Sequence, residues 1–460
     1  MTDQPVTARP ATDSTARPAT DSTARPTNDG AAPDSNAAGG AGTDGPGGAE
    51  IARSQQAWVR ERDYLNQHRH ELNRALDHLY PADWRLAGTR LMTRPEWRPA
   101  GPVPLAGVTL DWRPEERGAV VDPVRPAGSD EVRPLDRDGT RFGSYAAALA
   151  ALQPPRLLEN RICYRLLAAD TTAAAPQLTF GINRYFDLVN VSEAVAHEAA
   201  RRALERPGAP LNLEQLPLRA AIGDPLDLSR RSVTTGICTL ILRRDRDAGS
   251  AQMFLHWRDP ASVAVNGGLY QVAPAGMFQP SHEAGWNLVN DLGLWRGIIR
   301  EVSEELLGTS EDYGSGKAPI NYGRWPFYAA LTAARRAGTL RGYWLGVGAD
   351  PLTLDVDLLT VLVFDAPFFD AEFGGLVAVN NEGHLISGRD GRDGRDGHES
   401  RGGRGGHDGY DGHVGQGGPG VGLGFTAENV GRFTRTEAMQ PAGAAVLALA
   451  WQHREVLLGS

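Results

Sequence analysis

Several things are scarce in this chain. Of its 460 residues only two are cysteine, Cys163 and Cys238, each set in an apolar run. That excludes a disulfide scaffold and fits two buried free thiols in a reducing compartment. Lysine is nearly absent: Lys317 is the only one, so arginine carries the remaining positive charge. Positive charge is in deficit as a whole, with Lys plus Arg at 47 against Asp plus Glu at 56 and a formal net charge of -9. This balance offers no electrostatic footprint for nucleic acid or an anionic membrane surface. No apolar run reaches the roughly 18 residues that span a bilayer, and residues 1–19 lack the apolar core of a secretion signal. A cytoplasmic protein without membrane contact is the expectation.

What is abundant divides the chain. The 55 glycines and 31 prolines are too many for uniform packing, while 41% hydrophobic residues are too many for a disordered protein. Ordered and unordered stretches must therefore alternate. Residues 7–27 repeat Ala-Arg-Pro-Ala-Thr-Asp-Ser-Thr with slippage, and residues 1–50 as a whole read as a disordered low-complexity tail. A Gly-rich insertion at 387–422, with three Gly-Arg-Asp triplets and an Arg401-Gly-Gly-Arg404 stretch, reads the same way. Between them lie an α+β N-terminal region, 51–225, and a second region, 230–458, which the insertion interrupts.

In the first region Ile51, Trp58, Leu65, Leu72 and Leu79 recur every seven residues, an apolar stripe on a helix that Pro81 ends. The companion positions Gln55, Arg62 and Arg69 are polar, which disfavours a coiled coil and favours docking on the chain's own core. Strands are expected at 103–112, 161–167 and 177–185, then a helix at 192–204 capped by Ser192. The second region predicts paired strands at 235–243 and 253–258, and a third at 268–272 before Pro274-Ala275-Gly276. A helix at 291–307 follows, with Leu294, Ile298, Val302 and Leu306 on its buried face, Asn290 or Asp291 as cap, and Gly308 at its end. Strands at 342–348 and 354–364 and a closing helix at 440–454 complete an α/β class.

The chemistry concentrates on one helix, at Arg300-Glu301-Val302-Ser303-Glu304-Glu305. Glu301, Glu304 and Glu305 are related by i, i+3 and i+4 and share a face. Neighbouring carboxylates repel by about 0.2–0.5 kcal/mol per pair even when exposed, so a cation among them is the economical explanation. Oxygen-only donors select a hard ion, Mg²⁺ or Mn²⁺, which bridges phosphate oxygens and activates water.

These residues resemble the Nudix superfamily, whose signature is Gly-x5-Glu-x7-Arg-Glu-U-x-Glu-Glu-x-Gly-U with U aliphatic. Arg300, Glu301, Val302, Glu304 and Glu305 fall in step with it, and Pro274-Ala275-Gly276 resembles the family's Pro-Gly-Gly entry. The resemblance implies a Nudix-like α/β/α sandwich around a mixed sheet and a Mg²⁺- or Mn²⁺-dependent hydrolase of nucleoside diphosphate-linked or related phosphoanhydrides. It implies that Glu304 and Glu305 ligate the metal, that Glu301 ligates it or orients water, and that Arg300 holds a glutamate. The pattern departs at two places: Leu292 stands where the upstream glutamate is due, and Gly308 falls one residue late. Glu283 replaces the missing acid only if the 277–290 loop folds back. These departures suit an alternative, a catalytically inactive Nudix-like module that senses a small nucleotide-type ligand within a regulatory protein. Asp355 and Asp357, alternate residues on one strand, offer a further ligand. Arg258 and Arg296 are candidates for phosphate, and Trp257, Trp286, Trp295, Trp325, Phe327, Tyr343 and Trp344 for base stacking, although aromatics at such density more often form core. Nothing in the sequence fixes an oligomeric state.

Overall fold

The computed structural model describes residues 47–115, 118–173, 175–258, 268–374 and 422–459, with the backbone of the short strands Val6–Ala8 and Gly383–Leu385. Nearly all of the repetitive tail and the Gly-rich tract therefore lie outside the described residues. The fold is mixed α/β, built around a central sheet. Its strands are β1 (Val103–Pro104), β2 (Thr235–Asp245), β3 (Ser250–Met253), β4 (Ala275–Met277), β5 (Leu340–Ala349), β6 (Val356–Asp365) and β7 (Leu423–Gly424). Their order is β7-β3-β2-β6-β5-β1, and β4 pairs with β2. The two middle strands, β2 and β6, run parallel with Ile237 opposite Leu358, while the β5–β6, β2–β3 and β2–β4 pairs are antiparallel. Runs rich in Val, Ile and Leu make β2 and β6 strands buried on both faces, as central strands under two helical layers must be.

Five helices position the sheet: α1 (Gly48–Gln67), α2 (Ala194–Glu205), α3 (Leu294–Leu307), α4 (Pro326–Ala337) and α5 (Pro441–Gln452). Alternation along the strands sends Ile237, Ile241, Leu358 and Leu362 to one face, against Leu294, Ile298, Val302 and Leu306 of α3. Each of these four helix side chains is fully enclosed, a burial of the kind that contributes about 1.5–3 kcal/mol per residue. Cys238, Leu240, Leu359 and Val361 turn to the other face, against Ala445, Val446 and Leu449 of α5. Both cysteines are free and buried, as expected.

The N-terminal region shares the first of these cores. Trp58, Trp112, Tyr164 and Phe180 belong to the same apolar cluster as Ile237 and Leu358. A smaller sheet of Thr109–Trp112, Gln177–Arg184 and Ile162–Asp170 also takes in Val6–Ala8, in parallel with Thr109–Trp112, so the tail contributes one short strand. This sheet joins the second region through backbone bonds: Tyr164 N–H donates to Phe278 C=O and Leu166 N–H to Val233 C=O, each at 3.0 Å.

Some expected boundaries move. The 51–79 stripe is broken at His68, where α1 ends and a second helix, Arg69–Ala75, begins. Ser192 caps nothing: Tyr185–Leu188, the π-helical Val189–Glu193 and α2 form one continuous helical run, and the Ser192 side chain bonds Asp355 instead. Leu255–Arg258 leaves the central sheet to pair with Tyr270–Val272 and Gly383–Leu385. Gly293 occupies the cap of α3, because Asp291 is engaged elsewhere: Ser281 and Tyr322 donate to it. Gly308 ends α3 in the left-handed region at φ 65, which favours glycine.

Candidate functional site

The amphipathic pattern of α3 decides where its polar residues lie. With its apolar stripe against β2, the carboxylate face turns toward the edge strand β4 rather than toward water. Glu301 and Glu305 are 9% and 6% exposed. A Cβ built on Gly276 would overlap the Glu301 carboxylate, so glycine there is what lets Glu301 lie on the strand backbone. One turn on, Glu305 Oε1 accepts the Ala275 N–H at 2.8 Å, and Glu305 Oε2 stands 3.8 Å from His256 Nδ1. Arg258 donates to Ala275 C=O at 3.3 Å. β4 bonds β2 through its other edge, so the acid and the arginine satisfy backbone groups that the sheet leaves over.

Glu304 has a different partner. Its Oε1 accepts the Tyr313 hydroxyl at 2.7 Å, and Tyr313 sits edge-on to Trp325 with ring centroids 5.3 Å apart. Burial pushes the Glu304 carboxyl up to about 7, against the lowering effects of Arg300 and the Tyr313 bond. Arg300 is buried, and its guanidinium donates to Gln279 C=O at 2.6 Å, fixing the 277–290 loop to the helix. Burial lowers its pKa, but Tyr322, Asp291, Glu304 and Glu301 together outweigh that and keep it raised. Arg300 thus acts on the glutamates by charge, with its hydrogen bond spent on the loop.

The remaining candidates lie elsewhere. Glu283 is exposed and pairs with Arg184 at 2.9 Å, so the loop does not bring it to the other acids. Asp357 is buried on β6 in phase with Leu359 and Val361, on the α5 face, and a Cβ on Gly236 would overlap it. Arg296 donates to Asn290 C=O and lies over the Tyr322 ring, 5.0 Å from its centroid. Trp295 and Trp344 are core residues, whereas Trp286 is 48% exposed and donates to Ser315 C=O at 3.0 Å. Sequence reading missed Tyr313, His256 and Gln279; each meets the helix only through the fold, and nothing in the local pattern marks them.

A second titratable cluster lies in the N-terminal region, most of it buried. Arg62 and Arg69 both bind Glu193, and His197 bridges Glu61 and the Tyr145 hydroxyl at 3.0 Å each. His197 and Glu193 are fully enclosed and Tyr145 is 1% exposed, while Glu61 lines a surface cleft with Arg60, Asp63 and Arg201.

The donor set around α3 fits a hard cation in kind. Mg²⁺ commonly takes one or two carboxylates, with water and substrate phosphates supplying the rest, and Glu301 and Glu305, which rest on neighbouring residues of β4, are donors of that type. Among the described residues, however, no three His, Cys, Asp or Glu side chains gather in a metal-holding group. No helix among the described residues is long and apolar enough to cross a membrane. No protein-family model and no curated protein matches the chain.

Proposed function

We propose that residues 230–458 form a Nudix-like α/β/α sandwich that hydrolyses a nucleoside diphosphate-linked or related phosphoanhydride with Mg²⁺ or Mn²⁺. The observation that carries this reading is the contact between the two separated parts of the motif, Glu301 lying on Gly276 and Glu305 accepting the Ala275 N–H. A helix whose acids served only as a solvated face would turn them outward. Glu301 and Glu305 would hold the cation, which supplies charge neutralisation for phosphate oxygens and a more acidic bound water. Glu301, braced against the strand, shares the cation or orients the attacking water. Glu304, with a carboxyl near neutrality, is suited to accept a proton at physiological pH. Arg300 positions the face by anchoring α3 to the 277–290 loop.

One observation favours a second reading, a ligand-sensing module without turnover: Glu304 is held by Tyr313 and Glu305 by a backbone amide, so three acids do not converge. A single experiment separates the two. The full chain is incubated with Mg²⁺ or Mn²⁺ and a panel of nucleoside diphosphate derivatives, and phosphate and pyrophosphate release are measured beside a Glu301→Gln, Glu305→Gln double variant. Turnover lost in the variant supports the hydrolase. A panel member that raises the melting temperature without turnover supports the sensor, and absence of both effects removes both readings.

A further inference from the structure

We infer that the outer edge of strand Thr109–Trp112 is a docking site for an extended segment of the chain's own tail repeat, and that any of three copies of Thr-Ala-Arg-Pro fits it. Val6–Ala8 is the occupant in the structure, with Val6 opposite Leu110, Thr7 opposite Asp111 and Ala8 opposite Trp112. The inference is independent of the chemistry of α3.

The edge needs an occupant. Thr109 N–H donates to Pro176 C=O at 2.8 Å and Arg113 N–H to Phe180 C=O at 2.7 Å, both on the side of strand Gln177–Arg184. Backbone groups alternate sides along a strand, so those of Leu110 and Trp112 face the tail. Leu110 is fully enclosed and Trp112 is 5% exposed, and a buried N–H or C=O without a partner is costly. The parallel register makes Thr7, opposite Asp111, the residue whose N–H and C=O reach both of them.

The repeat supplies two spare strands. Thr7-Ala8-Arg9-Pro10 recurs as Thr15-Ala16-Arg17-Pro18 and Thr23-Ala24-Arg25-Pro26. The copies are eight residues apart, an even number, so a shift by one copy leaves the same residue types on the same faces of the sheet. Each proline, which has no N–H to donate, ends the ladder at the same place and biases the arginine before it toward extended backbone. Reach does not limit the exchange. Ala24 stands 23 residues before Gly47, the cap of α1, a length that extends to about 75 Å, against a radius of gyration of about 23 Å for a packed chain of this size. Val6 ranks the copies, because valine favours a strand and the other two carry Ser14 and Ser22 in its place.

The test is amide hydrogen exchange, read residue by residue, in the full native chain and four full-length variants with proline at the central threonine, which removes the N–H that a copy must donate. Thr15→Pro, Thr23→Pro keeps only the first copy; Thr7→Pro, Thr23→Pro keeps only the second; Thr7→Pro, Thr15→Pro keeps only the third. The fourth variant carries all three substitutions. In each single-copy chain Leu110 and Trp112 should exchange within about fivefold of native, the span of a Val-to-Ser change in strand preference. In the fourth they should exchange about twentyfold faster or more, while Thr109 and Arg113, which bond on the other side, stay protected throughout. Exchange within about fivefold of native in the fourth chain, whether another segment or a second copy of the chain covers the edge, overturns the inference. So does a rise of about twentyfold or more with the second or the third copy alone. Should the fourth chain lose its cooperative melt, the single-copy chains answer: native-like melting and exchange in all three support the inference, and failure of the second- or third-copy chain overturns it.

Discussion

Glu193 has no exposure, yet two arginines approach it, Arg62 and Arg69. Burial would raise its carboxyl, but the charges and hydrogen bonds of Arg69 and Arg62 outweigh this and bring it down to about 2 from the usual 4.5. Because the folded pKa is depressed, its contribution to stability is present above pH 4.5 and is lost as pH falls toward 2. Removing the charge strands two buried guanidinium groups, so Glu193→Gln should cost about 3–5 kcal/mol in chemical denaturation at pH 7. A cost below about 1 kcal/mol would show that the arginines find other partners. Asp357 has the opposite sign. Burial first, then Asp355 and Asp350, push it up to about 8, while Arg258 pulls it down. Its contribution is complete below pH 3.8 and is lost as pH rises through 8. Asp357→Asn should therefore raise the melting temperature at pH 8 and change it little at pH 4; equal effects at the two pH values would contradict the assignment. The sequence marked Trp58, Leu65 and Leu72 as a buried stripe and treated Arg62 and Arg69 as its polar companions. It could not show their common partner, because Glu193 lies 131 and 124 positions further along the chain.

Among the elements, α3 was the most legible. Four-residue apolar spacing and Gly308 gave its buried face and its end, since both depend on local backbone geometry. Its start was not legible: Asp291 has the chemistry of a cap, but Ser281 and Tyr322 take its oxygens through tertiary contacts. Ser192 failed as a cap for a related reason, since the π-helical turn carries the helix straight through it. Strand β4 is only three residues long, too short for any periodicity, yet it is the element against which the acids of α3 rest. That contact makes Gly276 a sensitive position. Gly276→Ala should displace Glu301 and lower turnover about a hundredfold, the effect of a misplacement near 1 Å, at a stability cost of about 1–3 kcal/mol. Full turnover in Gly276→Ala would place the Glu301 function elsewhere.

At the scale of the molecule, the composition gave no sign that 51–225 and the second region share a core. Sharing is a matter of long-range pairing: β1 adds to β5, Met92 bridges Ala349, and Tyr164 and Leu166 bond the backbone beside β4 and β2. Calorimetry of the full chain should therefore show one unfolding transition spanning both regions. A chain beginning at residue 230 should fail to melt cooperatively, because its Ile237 and Leu358 face loses Trp58, Trp112 and Phe180. Two resolved transitions, or a stable shortened chain, would contradict a common core. The central claim, that Glu301 and Glu305 on the β4 backbone hold a cation for a phosphoanhydride, is tested most directly by pulsed electron paramagnetic resonance of Mn²⁺ bound with a non-hydrolysable nucleoside diphosphate analogue. The account expects a phosphorus coupling to Mn²⁺ that disappears with Glu301→Gln, Glu305→Gln; Mn²⁺ that shows no such coupling, or a coupling unchanged in the variant, would contradict it.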